Sequence, residues 1–171
     1  IYRIGPSFVR ARSGQRATPP VSAERLRQIL AARPADPDDT RPATKHGLIA
    51  VGSHVPLTTR QLDRLRAKGK ITELELEVPT LLDDAARDDY VAEIAARAAK
   101  LLQNNSADDD IVVRTSRTLV SGDDAAHSLV IARTVSAALV GTVHEIVNQI
   151  RPAFVIAKGG ITSSDTATVG L

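Results

Sequence analysis

The chain has 171 residues and a mass of 18.2 kDa, room for one compact α/β domain or two very small ones. Apolar residues make up 43% and charged residues 25%, a globular balance that argues against wholesale disorder and a membrane-embedded fold. The formal net charge is +2, the four aromatics (Tyr2, Phe8, Tyr90, Phe154) offer no stacking platform for single-stranded nucleic acid, and the lack of cysteine excludes disulfides and thiolate chemistry.

The chain begins at Ile1 and contains no methionine, so the sequence reads as a fragment or processed piece. Residues 1–4 are strand-like and Pro6 breaks them. Thr18-Pro19-Pro20 is a stop, after which Ser22 caps a short helix with Leu26, Ile29 and Leu30 on one face. Pro34, Pro37 and Pro42, interspersed with Asp36, Asp38 and Asp39, form a linker. Seven arginines and one acid, Glu24, fall within residues 1–33. A solvated helix face explains that charge more simply than a nucleic-acid surface. Residues 1–45 therefore read as a connector.

From residue 46 the pattern becomes regular. Leu48-Ile49-Ala50-Val51 is a short apolar run closed by Gly52, as in a buried parallel strand. Thr58 or Thr59 caps the next helix, Leu62 and Leu65 face inward, and Gly69 ends it. Residues 71–78 alternate Leu74, Leu76 and Val78 with Glu73, Glu75 and Glu77, the pattern of a strand near a sheet edge, and Pro79 stops them. Residues 85–103 form a helix with Tyr90, Val91, Ile94, Ala95, Ala98, Leu101 and Leu102 on one stripe. Ile111-Val112-Val113 is a second buried strand. Residues 128–150 form a long helix with Ala132, Val135, Leu139, Val143, Ile146 and Ile150 inside. After Pro152, Phe154-Val155-Ile156-Ala157 reads as a third buried strand, and Thr162-Ser163-Ser164-Asp165 as the cap of a last helix. Short apolar strands alternating with amphipathic helices imply an α/β fold. Its sheet is mainly parallel, with helices on both faces in a Rossmann-like three-layer arrangement.

Ligands of such sheets sit at the carboxyl ends of the strands. There the sequence places Gly52-Ser53-His54, Thr115-Ser116 and Gly159-Gly160-Ile161-Thr162. Two glycines after a strand let the backbone approach a ligand, and hydroxyls with free N–H groups can hold phosphate oxygens. A plain tight turn capped by Thr162 or Ser163 is the alternative, which anion binding outweighs only slightly. The motif is neither a P-loop, because Lys158 precedes the glycines, nor a GxGxxG fingerprint. Ser53 can donate to a phosphate or ribose. His54 can serve as acid, base or donor, or be a loop histidine bonded to backbone; no metal-ligand spacing links it to His46, His127 or His144. Thr115 and Ser116 either line the same cleft or merely end a strand. Asp108-Asp109-Asp110 precedes a strand at the opposite end and reads as a solvated loop, Asp123 and Asp124 as helix-start acids, and Asp165 as a first-turn acid or a metal ligand.

Together these strand ends resemble the C-terminal nucleotide-binding domain of the four-carbon acid sugar kinases, a family long catalogued as a domain of unknown function. The resemblance rests on three segments in order: Gly47-Leu48-Ile49-Ala50-Val51-Gly52-Ser53-His54-Val55 with Thr58-Thr59-Arg60-Gln61-Leu62, then Val112-Val113-Arg114-Thr115-Ser116-Arg117, then Ala157-Lys158-Gly159-Gly160-Ile161-Thr162-Ser163-Ser164-Asp165. It covers residues 46–171, and Ser7-Phe8-Val9-Arg10 resembles the segment leaving the family's N-terminal domain. The resemblance implies ATP with Mg2+ as cofactor and phosphorylation of a small acid sugar such as threonate, erythronate or 3-oxo-tetronate. Ser53 would contact ATP, and Gly159, Gly160, Ile161 and Thr162 would form the phosphate-side loop; His54, Thr115, Ser116 and Ser163 are weaker candidates. No catalytic residue is assigned. The acid sugar would be bound through a separate N-terminal domain, so residues 1–45 would connect it to a C-terminally truncated nucleotide-binding domain, 46–171. The implied protein is cytoplasmic and bound to neither membrane nor nucleic acid. A homodimer is left open, and a non-catalytic nucleotide- or phosphate-binding module is the alternative.

Overall fold

A computed structural model of the chain describes residues 12–14, 21–32, 37–104, 109–117 and 120–171. The expectations for residues 1–10, for Thr18-Pro19-Pro20, Pro34 and Asp36, and for Asp108 lie outside those residues. The chain divides into two compact units, Ile1–Asp38 and Asp39–Leu171. In the first, helix α1 (Ala23–Ala31) begins as expected, with the Ser22 hydroxyl accepting from the Arg25 amide at 3.1 Å. Its Leu26 and Ile29 are nearly half exposed.

The second unit holds a four-stranded, all-parallel sheet in the order β2-β3-β1-β4, from β1 (Leu48–Val51), β2 (Ile71–Leu76), β3 (Asp110–Thr115) and β4 (Val155–Lys158). The helices are α2 (Pro56–Ala67), the short α3 (Val78–Leu81), α4 (Arg87–Gln103), α5 (Ala125–Gln149) and α6 (Gly160–Asp165), which runs into a π-turn over Thr166–Gly170. Successive strand residues face opposite sides of the sheet. Leu48, Ala50, Leu74, Leu76, Ile111 and Val113 therefore join the inward stripes of α4 and α5 in the larger core, while Ile49, Val51 and Val112 meet Leu62 of α2 on the other face. This is the three-layer arrangement expected from the alternation. β1 is paired on both sides and covered on both faces, which is why its four residues are all apolar and buried.

Several local expectations shift. Helix α2 starts at Pro56, with Val55 in the capping position and no side-chain cap; Thr58 lies buried within its first turn instead of capping it. Proline at the start of a helix forfeits only an amide that would be unbonded anyway. Pro79 likewise does not end β2 but stands in the first turn of α3. Helix α5 begins at Ala125 because Asp124 accepts from the His127 amide at 2.7 Å, and its inward face carries Ile131 where Ala132 had been expected. Helix α6 begins at Gly160, so Thr162 and Ser163 lie inside it and do not cap it. Asp109 and Asp110 are no solvated loop: Asp109 accepts from the Thr72 hydroxyl at 3.1 Å, and Asp110 from the Gly47 amide at 2.7 Å. They tie the starts of three strands together.

The largest correction concerns β4. It pairs with β1 alone among the described strands and is an edge, with Ile156 49% exposed and Val155 only partly buried. A four-residue apolar run carries no mark that separates an edge from an interior position. Among the described residues, α5 alone is long and apolar enough on average to cross a bilayer. It is a core helix here, with Val135, Leu139, Val143 and Ile146 packed on the sheet.

Charged groups lock both sides of this frame. Before β1, Arg41 forms a two-pronged pair with Asp39 and donates to the Val147 carbonyl at 2.6 Å, and Arg151 approaches the same carboxylate. Those bonds, Arg41's first, hold the Asp39 carboxyl far below the usual range. On the wet face of β2, Arg66 and Arg114 both bind Glu73, and Arg114 also reaches Glu75. The Arg66 bond, reinforced by Arg114, depresses the Glu73 pKa, while desolvation opposes it. A depressed carboxylate contributes stability that is present above its unfolded pKa and lost as pH falls through the folded value. Glu73→Gln is expected to cost about 1–2 kcal/mol at pH 7. Urea unfolding at pH 7 and again near pH 3 checks this, because the difference between variant and parent should shrink in acid.

Candidate functional site

The chain leaves β1 for the α2 face and β3 for the α5 face, so the loops after these neighbouring strands part and leave a crevice at their carboxyl ends. A cavity of about 430 Å³ fills it. Its floor is made by Gly52, Ser53, His54, Thr115, Gly159, Gly160 and Thr162, and its apolar side by Val78 and Val120 with Ile131, Val135 and Leu139 of α5.

The glycine turn is shaped for this place. Gly159 has φ +137°, a conformation that side chains rarely adopt, and its carbonyl accepts from the Ser163 amide at 2.8 Å to start α6. Thr162 is buried against β1: a Cβ on Gly52 would stand 2.5 Å from its hydroxyl and 3.0 Å from a Leu139 methyl. That close approach lets the ends of β1 and β4 meet. Gly160 differs, since a Cβ there would meet nothing within 4 Å. The first amides of α6 have no acceptor within the helix. An open glycine beside free amides suits a ligand rich in acceptor oxygens.

Around the β1 turn, the Ser53 hydroxyl accepts from that of Thr58 at 3.1 Å, which leaves its own proton available. His54 Nε2 lies 3.4 Å from the fully buried Thr115 hydroxyl, while Nδ1 is buried without a partner among the described residues. Burial lowers the His54 pKa first and the Arg117 charge second, while a contact with the Arg117 main chain works the other way. The ring is therefore neutral at pH 7. Its share of stability is present above the ordinary value near 6.5 and is lost as pH falls through the folded value.

Of the residues singled out from the sequence, Ser53, His54, Thr115, Gly159, Gly160 and Thr162 line the one cavity. Ile161 follows in the same turn. Ser116 and Ser163 do not line it: Ser116 Oγ bridges the Leu76 carbonyl and the Val78 amide, and Ser163 Oγ donates to the carbonyls of Ala157 and Gly159. The α5 wall was missed because Ile131, Val135 and Leu139 look in sequence like any buried helix face. In the sequence Arg117 stands only as the last residue of the second matching segment, with no role given to it.

A parallel sheet with a glycine turn and a half-apolar cavity at its strand ends defines an α/β ligand-binding module. Residues 48–171 match the family model described as the nucleotide-binding C-terminal domain, so the chain belongs to that family. The match bears out the resemblance to the C-terminal nucleotide-binding domain of the four-carbon acid sugar kinases. No curated protein matches the chain.

Proposed function

We propose that this domain binds MgATP for a cytoplasmic kinase that phosphorylates the terminal hydroxyl of a small four-carbon acid sugar of the threonate, erythronate or 3-oxo-tetronate type. One observation carries the reading: the ends of β1, β3 and β4 converge on a single cavity whose glycine turn stays open at Gly160. The amides of Gly160, Ile161 and Thr162 would hold phosphate oxygens, and Ser53 would donate to the nucleotide. The apolar α5 wall would pack against the ligand on the other side of the cavity. Phosphoryl transfer needs positioning and charge neutralisation more than covalent chemistry, and a fixed backbone cradle supplies the first. Mg2+ neutralises phosphate charge in such reactions, and here it would arrive on the nucleotide. The acid sugar would come from the companion domain that the resemblance implies, to which residues 1–45 would connect.

Calorimetry with MgATP is expected to give a dissociation constant between roughly 1 μM and 1 mM. Absence of heat at millimolar nucleotide would refute the reading. ADP release by the full natural protein on a panel of four-carbon acids tests the substrate class. Binding without turnover on that panel would assign a non-catalytic nucleotide-binding module instead.

A further inference from the structure

We propose that Arg117 is a positioning residue of the nucleotide site, bracing the Ser53–His54 turn from the end of β3. The inference rests on the nucleotide reading for its ligand but on protein geometry for its substance. Arg117 Nη1 donates to the Ser53 carbonyl at 2.6 Å, and Nη2 donates to the Thr59 hydroxyl at 2.6 Å. One guanidinium thus clamps the last loop residues after β1 to the first turn of α2, from the neighbouring strand. The other ties on this turn are longer: the Thr58 hydroxyl donates to that of Ser53 at 3.1 Å, the Gly52 amide reaches the Lys158 carbonyl at 3.3 Å, and His54 Nε2 stands 3.4 Å from Thr115. Ser53 and His54 can face a ligand with fixed geometry only if something holds their main chain, and the described residues offer Arg117 for that task.

The choice of arginine has a physical reason. A planar fork reaches two acceptors on different elements at once, which a single ammonium cannot do with the same geometry. Arg117 Nε is itself buried without a partner among the described residues. The side chain therefore forgoes one hydrogen bond to keep the other two, a cost that a merely solvated arginine would not bear. Its charge also lies close enough to disfavour protonation of His54. It adds a fixed positive charge beside a site proposed to take phosphates.

The test uses Arg117→Gln and Arg117→Lys in the full chain. In the Gln variant, MgADP affinity should fall about tenfold with the thermal midpoint nearly unchanged. Amide exchange at Ser53 and His54 should accelerate, and the His54 titration followed by NMR should move up towards its ordinary midpoint. The Lys variant should keep the low His54 midpoint, because the charge stays, yet recover only part of the affinity, because the fork is gone. A purely structural residue would lower affinity only in step with the thermal midpoint and would leave local exchange at Ser53 and His54 unchanged relative to the rest of the domain. MgADP binding within twofold of the parent in Arg117→Gln would overturn the proposal. If that variant does not fold, Thr59→Val removes one arm of the clamp and should weaken binding about threefold with faster exchange at Ser53; unchanged binding and exchange would overturn it equally. Should the parent bind no MgADP, the nucleotide reading fails, and the exchange at Ser53 and His54, which needs no ligand, still decides the brace.

Discussion

Gly160→Leu is expected to abolish nucleotide binding while the domain keeps its fold. A Cβ at Gly160 meets nothing within 4 Å in the protein, so the added side chain has room and no packed neighbour to displace. That room belongs to the cavity, however, since Gly160 forms part of its floor beside Ser53 and Thr162. A branched side chain there would stand between the free amides at the start of α6 and any phosphate approaching them. The loss should be about 100-fold or more, ~2.7 kcal/mol of binding. Calorimetry with MgADP, paired with thermal unfolding, measures both halves. Binding within threefold of the parent at an unchanged midpoint would mean that the ligand lies elsewhere in the cavity. Gly52 makes the informative contrast: a Cβ there collides with Thr162 and Leu139, so Gly52→Ala should disturb packing and binding together.

The second large effect concerns stability. Leu139 is fully buried on the inward face of α5, and Leu139→Ala should cost about 2–5 kcal/mol through lost burial and the cavity left behind. Ile156→Ala should cost roughly 1 kcal/mol or less, because half of that side chain already meets solvent at the edge of the sheet. In sequence the two residues look alike, each an apolar side chain in an apolar element. Denaturant unfolding of both variants separates the edge position of β4 from an interior one. Equal losses would place Ile156 in a covered strand. Because Leu139 also faces the cavity, nucleotide affinity in Leu139→Ala should be measured well below its unfolding midpoint, where the folded fraction is not limiting.

Both effects arise from the same construction. The two faces of the sheet are covered by helices that leave β1 and β3 in opposite directions, and the gap this opens is where backbone, hydroxyls and one imidazole are exposed together. The apolar wall of α5 belongs to the main core and to the cavity at once, so mutations there mix stability with binding. Gly160 belongs to the cavity alone, whereas Gly52 and Gly159 belong to the cavity and to the packing beside it.

The sequence by itself determined the parallel α/β class, the buried apolar strands β1 and β3, the edge character of β2 with its alternating glutamates, and the strand-end glycines that mark the ligand-binding side. Each of these is local: burial on both faces demands an unbroken apolar run, one wet face demands alternation, and a close backbone approach demands glycine. The resemblance to a nucleotide-binding family was legible too, because its motifs sit on those same strand ends. Only the tertiary structure decided that β4 is an edge and that Thr58, Thr162 and Ser163 are packed within helices where capping had been expected. It also showed that Ser116 serves the β2–α3 junction and that Ile131, Val135 and Leu139 form the cavity wall. It alone brought Arg117 to the Ser53 carbonyl, 64 residues away in sequence. The physical reason is common to all of these. A residue's neighbours across strands and between layers depend on sheet order and helix placement, and no periodicity along the chain encodes that an apolar run such as β4 lies at the edge or which guanidinium reaches which carbonyl.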